Sequence, residues 1–157
     1  MDIIDYFKSD KPDHWLAEIK KSDWRAAETL ARFIEEKSFH KNLGEGALLL
    51  LADDDRLVSF LTFAQRDCID DGALFPWIGF VYTFPEYRGH RHVGKLIRRC
   101  EEIAAENGVP TIFVCTDHVG LYEKYGFSYI ENRVDIYGDN SRIYQKNISE
   151  ENRNAKF

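Results

Sequence analysis

Between Val81 and Cys100 the chain spells a strand, a tight turn and a helix, and the rest of the sequence has to be arranged around that unit. Val81, Tyr82, Thr83 and Phe84 are β-branched or aromatic and suit a pleated surface. Pro85 cannot donate to a ladder, so the strand stops there. Past the turn, Val93, Leu96, Ile97, Cys100, Ile103 and Ala104 recur at the spacing of one helix face. From Arg88 to Arg99 there are five Lys or Arg and no Asp or Glu, in a chain with 21 basic and 27 acidic residues. A basic island at a helix start describes an anion site, because the helix dipole and the free N–H groups of the first turn point the same way. The alternative is a solvated basic helix face, with Gly89 and Gly94 serving only the turn.

At 157 residues the chain fits one domain with a substantial core, and 44% hydrophobic residues exclude a disordered chain. The net charge of −6 argues against general nucleic-acid or membrane-surface binding, and would tolerate and mildly attract a cationic small molecule. No apolar run approaches the roughly 20 residues of a membrane span, and the start lacks the basic segment of a signal peptide. Cys68, Cys100 and Cys115 are odd in number and widely spaced, which suggests neither a disulfide framework nor a zinc site. Cys100 and Cys115 read as small core residues, and the expected setting is a reducing cytoplasm.

Taken in order, the pattern predicts a strand near Asp2, helices carrying Trp15 and Trp24, and a break at Gly44-Glu45-Gly46. Ser22 or Asp23 is the expected cap of the second helix, with Trp24 in its buried stripe. Ala47–Ala52 and Arg56–Arg66 then form a hairpin across Asp53-Asp54-Asp55. Ala47–Ala52 is apolar throughout, so both of its faces should be covered. Asp67–Leu74 is a loop, and strand Trp77–Phe84 and the Val93 helix follow. Thr111–Cys115 is a short buried strand, Val119–Tyr125 a short helix, and Ser128–Tyr137 pairs with Arg142–Ile148. The sum is an α/β chain with a single mixed, mostly antiparallel sheet flanked by helices. Residues 1–148 form one domain, and 149–157 form a polar C-terminal tail.

Two constellations carry chemistry. Gly89-x-x-x-x-Gly94-Lys95 nearly spells a nucleoside-triphosphate loop, but Leu96 stands where a Mg²⁺-binding hydroxyl is required. Val81–Ile97 instead resembles motif A of the GCN5-related N-acetyltransferase (GNAT) superfamily. Pro85-Glu86-Tyr87-Arg88-Gly89 matches the start of that motif, and Leu96 and Ile97 match its helix. Arg91 stands where the motif has its first glycine, Val93 stands where it has Gly or Ala, and Gly94 comes one residue late. Leu121-Tyr122-Glu123-Lys124-Tyr125-Gly126-Phe127 resembles motif B of the same superfamily. The order of elements resembles the family from Asp2 to Ile148.

The resemblance implies the acyl-CoA N-acyltransferase fold and transfer of the acetyl group of acetyl-CoA to an amine by direct attack in a ternary complex. It places the pantetheine arm along Val81, Tyr82 and Thr83, with an N–H near Thr83 polarising the thioester carbonyl. It places the phosphates at Arg88, Gly89, His90, Arg91, His92, Val93 and Gly94. Because Arg91 departs from the family's glycine, its side chain and that of His92 are expected to contact phosphate in place of the backbone, the alternative being that Arg91 points to solvent. The resemblance gives Tyr122 the role of protonating the departing thiolate. The expected acceptor is a small-molecule amine, with no metal, no nucleic acid and no membrane; a homodimer is left open. The competing readings are a non-catalytic acyl-CoA-binding module on the same fold and a nucleotide-phosphate binder. The general base is unassigned: Glu86, Asp117 and His118 are the polar residues nearest the motifs. Asp67, Asp70 and Asp71 either meet a cationic amine or form an ordinary solvated loop, and Tyr82, Tyr137 and Tyr144 are candidates to line an acceptor pocket.

Overall fold

Seven strands form one sheet in the order β1-β2-β3-β4-β5-β7-β6 in the computed structural model, whose described residues are 1–148. The tail expected at 149–157 lies outside the described residues. The strands are β1 (Asp2–Asp5), β2 (Gly46–Asp53), β3 (Arg56–Ala64), β4 (Trp77–Thr83), β5 (Thr111–Thr116), β6 (Ser128–Val134) and β7 (Asn140–Asn147). Every neighbouring pair is antiparallel except β4 and β5, whose parallel pairing needs a crossover. Helix α4 (Val93–Glu106) supplies it.

Helices α1 (Pro12–Lys20) and α2 (Arg25–Glu35) cover one face and α4 covers the other. The apolar run of β2 is explained by this sandwich. Leu49 and Leu51 point into the core under α4, whereas Leu48 and Leu50 point into the core under α1 and α2.

Several local expectations are corrected. A short helix α3 (Phe39–Leu43) forms where no element was expected, burying Phe39 and Leu43 and ending at Gly44. Trp24 is the N-cap residue of α2 and Ser22 turns back to donate to the Ile19 carbonyl at 2.6 Å, so no side chain caps that helix. The helix expected over Val119–Tyr125 is a 3₁₀ turn at Tyr122–Tyr125. β6 ends at Val134, because Asp135 gathers the amides of Tyr137 and Asp139 into a turn. The expectation of unpaired cysteines is overturned: Cys68, in the β3–β4 loop, and Cys115, on β5, form a disulfide. Cys100 is free and buried in α4, as expected.

Candidate active site

The pairing of β4 with β5 consists of Trp77 with Phe113 and Ile78 with Val114, and it ends there. From Gly79 onward the strands diverge. Phe80 has φ 49°, a left-handed conformation that costs a non-glycine residue about 1–2 kcal/mol. It belongs to a bulge in which Phe80 and Val81 fall opposite Leu61, between the pairs Thr62–Gly79 and Phe60–Tyr82. The Phe84 amide donates to the Val58 carbonyl at 3.0 Å, and the Tyr82 carbonyl accepts from Ser59 Oγ at 2.7 Å. Strand alternation then turns the backbone groups of Val81 and Thr83 the other way, into the gap beside β5. Arg88 Nε donates to the Thr83 carbonyl at 2.8 Å, which leaves the N–H groups of Val81 and Thr83 as the donors that this alternation turns toward the gap.

The gap leads to the start of α4. Pro85–Tyr87 forms a 3₁₀ turn, and Gly89 takes φ 88°. The backbone N–H groups of Gly89, His90, Arg91, His92 and Val93 make no hydrogen bond among the described residues. The first bonds of the helix are Gly94 N–H to Arg91 carbonyl and Lys95 N–H to His92 carbonyl. Five free donors at the N-terminus of a 14-residue helix form an anion cradle. Arg91 adopts φ 55°, the backbone conformation that glycine would supply. Its side chain is exposed and near enough to Tyr125 to act on that phenol's ionisation. The His90 and His92 rings lie 5.6 Å apart. Burial, then Lys95 and His90, lower the pKa of His92.

Of the remaining basic residues, Arg99 is bound to Glu102 and Glu106, and Leu96 is fully buried in the core where a triphosphate loop would need a hydroxyl. Gly94, which the sequence places one residue late, has a packing role: a Cβ there would meet the Tyr125 ring.

Tyr122 is buried, its ring 5.9 Å from Phe127 and 6.4 Å from Tyr144. Burial first, then the charge of Asp67 and the neighbouring Tyr125, push its pKa far up, so its hydroxyl keeps its proton at any working pH.

Beside the gap lies a cavity of about 750 Å³ that reaches Trp24 and Phe33 from α2, Phe80 from β4, Asp67 and Cys68 from the β3–β4 loop, and Tyr137 and Asp139 from the β6–β7 loop. The Ile136 amide donates to the Cys68 carbonyl at 2.9 Å and pins those two loops together. Of the tyrosines expected here, only Tyr137 lines the cavity. Tyr82 is stacked on Trp24 at 5.5 Å and buried, and Tyr144 lies in the core. Of the acidic loop, Asp71 is paired to Arg133 at 2.6 Å and Asp70 is exposed, while Asp67 faces the cavity. Glu86, Asp117 and His118 are exposed and line none of it. The contributions of Trp24, Phe33, Phe80 and Asp139 were not foreseen. The helix pattern marks Trp24 and Phe33 only as apolar, and the bulge that turns Phe80 has no local signature.

A family model described as "Acetyltransferase (GNAT) domain" matches residues 13–130. No curated protein matches the sequence. Among solved structures, the aminoglycoside 6'-N-acetyltransferase from Enterococcus faecium is similar with a TM-score of 0.70 at 16% identity, over 95% of this chain and 98% of that one. An aminoglycoside 6'-N-acetyltransferase complexed with coenzyme A gives 0.68 at 16% identity, over 95% and 98%. A candidate streptothricin acetyltransferase from Bacillus anthracis in complex with acetyl coenzyme A gives 0.55 at 15% identity, over 66% and 63%. At these identities the likeness speaks for the fold alone.

Proposed function

The chain belongs to the GNAT acetyltransferases, and from that premise we propose that it transfers the acetyl group of acetyl-CoA to a primary amine on a small molecule. One observation carries the reading. The unpaired edge of β4 runs directly into a cradle of five free N–H groups at the start of α4. An acyl-CoA needs both features. Its pantetheine arm is rich in amides and pairs with a free strand edge, as an added strand does. Its phosphates need donors and positive charge; the cradle and the His92 ring offer donors, and the side chains of Arg88 and Arg91 offer charge. Gly89, His90, Val93 and Gly94 complete the loop.

The thioester supplies an activated acetyl group, and the chain's residues orient and polarise it. The N–H groups of Val81 and Thr83, directed into the gap, are placed to stabilise charge on the thioester oxygen. The acceptor approaches from the cavity on the far side of the gap, so the two substrates meet without a covalent enzyme intermediate. Tyr122 donates a hydrogen bond to the departing sulfur. Its raised pKa suits it to holding that hydrogen bond rather than to giving the proton up, because a thiol titrates near 8.5.

The cavity also separates enzyme from passive binder. A module that only sensed acyl-CoA would need no second cavity opening onto the thioester end. Thiol release from acetyl-CoA with a panel of primary amines, and the mass gain of one acetyl group on the amine, test this. Tyr122→Phe should lower kcat by about 10–100-fold and leave acetyl-CoA affinity within about twofold. Tight acetyl-CoA binding with no amine acetylated would favour the binding module. Mg²⁺-dependent ATP binding would favour the nucleotide reading.

A further inference from the structure

The cavity beside the gap, which reaches β4 at Phe80, contains a carboxylate with no cationic partner among the described residues. Asp67 makes no ion pair, whereas Asp71 is held by Arg133 and Asp135 accepts from the Tyr137 and Asp139 amides and the Ser141 hydroxyl. The seat of Asp67 exists because residue 79 is glycine. A Cβ on Gly79 would collide with the Asp67 carboxyl and stand 3.1 Å from Thr62 Oγ1. The carboxylate is thus pressed against β4 where β4 leaves β5. From there its charge acts on the Tyr122 hydroxyl across the gap. Burial raises its pKa to about 7, against the pull of the Cys68 amide and with the charge of Asp135 acting the same way.

Four aromatic rings line the cavity, Trp24, Phe33, Phe80 and Tyr137, beside aliphatic Ala26, Leu43 and Ile136 and neutral polar Thr29 and Asn42. Its charged side chains are Asp67, Asp139 and Arg25, a net of one negative charge when Asp67 is ionised. That balance fits one ammonium group on an apolar body and fits a polycation poorly.

We infer that Asp67 is the catalytic base, which binds the acceptor's ammonium group and takes its proton, and that the acceptor carries a single positive charge on a flat, apolar skeleton. This rests on the acetyl-transfer reading above. Asp67 accepts one proton from R–NH₃⁺ and leaves R–NH₂. The amine lone pair forms the C–N bond at the thioester carbonyl, and the C–S bond breaks as its electron pair leaves on sulfur. The proton still in excess on nitrogen goes to the thiolate to give CoA–SH. Asp67 returns its own proton to water through the open mouth of the cavity. The groups that face Asp67 are Asp135 from the β6–β7 loop, Tyr122 across the gap, and Asp139 and Arg25 on the cavity wall; the adjoining Cys68–Cys115 disulfide does not titrate.

The test is steady-state acetylation of 2-phenylethylamine, with kanamycin as a polycationic comparator, from about pH 5 to 9. Wild-type kcat/KM should rise about tenfold per pH unit up to about 7 and then level, the window set by the Asp67 pKa. Asp67→Asn should lower kcat/KM by about 100-fold or more and abolish that limb, and Asp67→Glu should keep the limb with reduced kcat. Asp70→Asn, in the same loop but outside the cavity, should match wild type. Unchanged acetyl-CoA affinity by calorimetry shows that each variant is folded. An Asp67→Asn enzyme that keeps the wild-type rate and limb overturns the base assignment while acetyl transfer stands. Kanamycin acetylated more efficiently than 2-phenylethylamine overturns the acceptor class, and Asp67 is then judged on kanamycin. A wild-type protein that binds acetyl-CoA but acetylates no amine overturns the acetyl-transfer reading and this inference with it.

Discussion

A β-carbon on Gly94 would stand 3.0 Å from Cε1 of Tyr125, so the first turn of α4 is packed directly against the Tyr122–Tyr125 turn. The free N–H groups at the start of α4 and the turn carrying Tyr122 therefore share one contact. Alanine adds helix propensity worth roughly 1 kcal/mol over glycine and needs only a small shift of a half-buried ring, so Gly94→Ala should be near neutral. Valine cannot be accommodated that way. Gly94→Val should destabilise by about 1–3 kcal/mol and weaken acetyl-CoA binding as well, because the displaced ring moves both halves of the site. Chemical denaturation and calorimetry read the two effects. A Gly94→Val protein with wild-type stability and affinity would show that the contact is slack.

Arg91 separates a backbone requirement from a side-chain one. At φ 55° the residue is strained by about 1–2 kcal/mol, and glycine would relieve that at an entropic cost of roughly 0.5–1 kcal/mol. Arg91→Gly should therefore raise Tm by about 2 °C, and Arg91→Ala, which keeps the strain, should not. Both lose the guanidinium. Both should raise the acetyl-CoA Kd by about 3–10-fold at low salt, with the difference from wild type shrinking as salt rises. If only Arg91→Gly kept wild-type affinity, the side chain would have no part in phosphate binding.

These two residues show what the sequence made legible. The strand, turn and helix around Pro85 were readable because each boundary has a local cause: a missing N–H at Pro85, a change of period, and charge gathered at the helix start. The gap between β4 and β5 was implied by the family resemblance alone. Arg91 and Gly94 look like departures from a glycine pattern until the dihedrals are known, since one residue carries the unusual φ and the other gives room to Tyr125. The cavity beside β4 was largely illegible. Asp67 sits in a polar loop like any other, and its half-buried seat depends on a glycine 12 positions on and on a loop beyond β6. The Cys68–Cys115 bridge was missed for the same reason, because its partners are 47 residues apart and meet only through the packing of the β3–β4 loop on β5.

That bridge ties the loop carrying Asp67 to the strand on the other side of the gap. Closing a loop of this length removes enough freedom from the unfolded chain to be worth about 3–4 kcal/mol. Cys68→Ser, Cys115→Ser or a strong reductant should each lower Tm by on the order of 10 °C. The reductant should add nothing to either variant. A wild-type Tm indifferent to reductant would mean that the bridge does not stabilise the fold.

The carboxylate beside that bridge should make the protein less stable as the pH rises. An unfolded Asp67 ionises near 3.8, whereas the folded one holds its proton until about 7. Between those values the folded state binds one proton more than the unfolded state, so this group's contribution to stability falls with pH across that window and stays low above it. Water at the cavity mouth softens the penalty to roughly 2 kcal/mol, about half of what the whole shift implies. Asp67→Asn removes the ionisation. Its Tm should equal that of wild type near pH 4 and exceed it by about 4–8 °C at pH 8. A carboxylate kept for structure would do the opposite, because its loss would leave former partners unsatisfied and lower Tm at every pH. Greater stability together with lost acetylation is the pattern of a group held in an unfavourable place for the sake of its chemistry. A lower Tm for Asp67→Asn at pH 8 would mean that the cavity is not built around an unpaired charge.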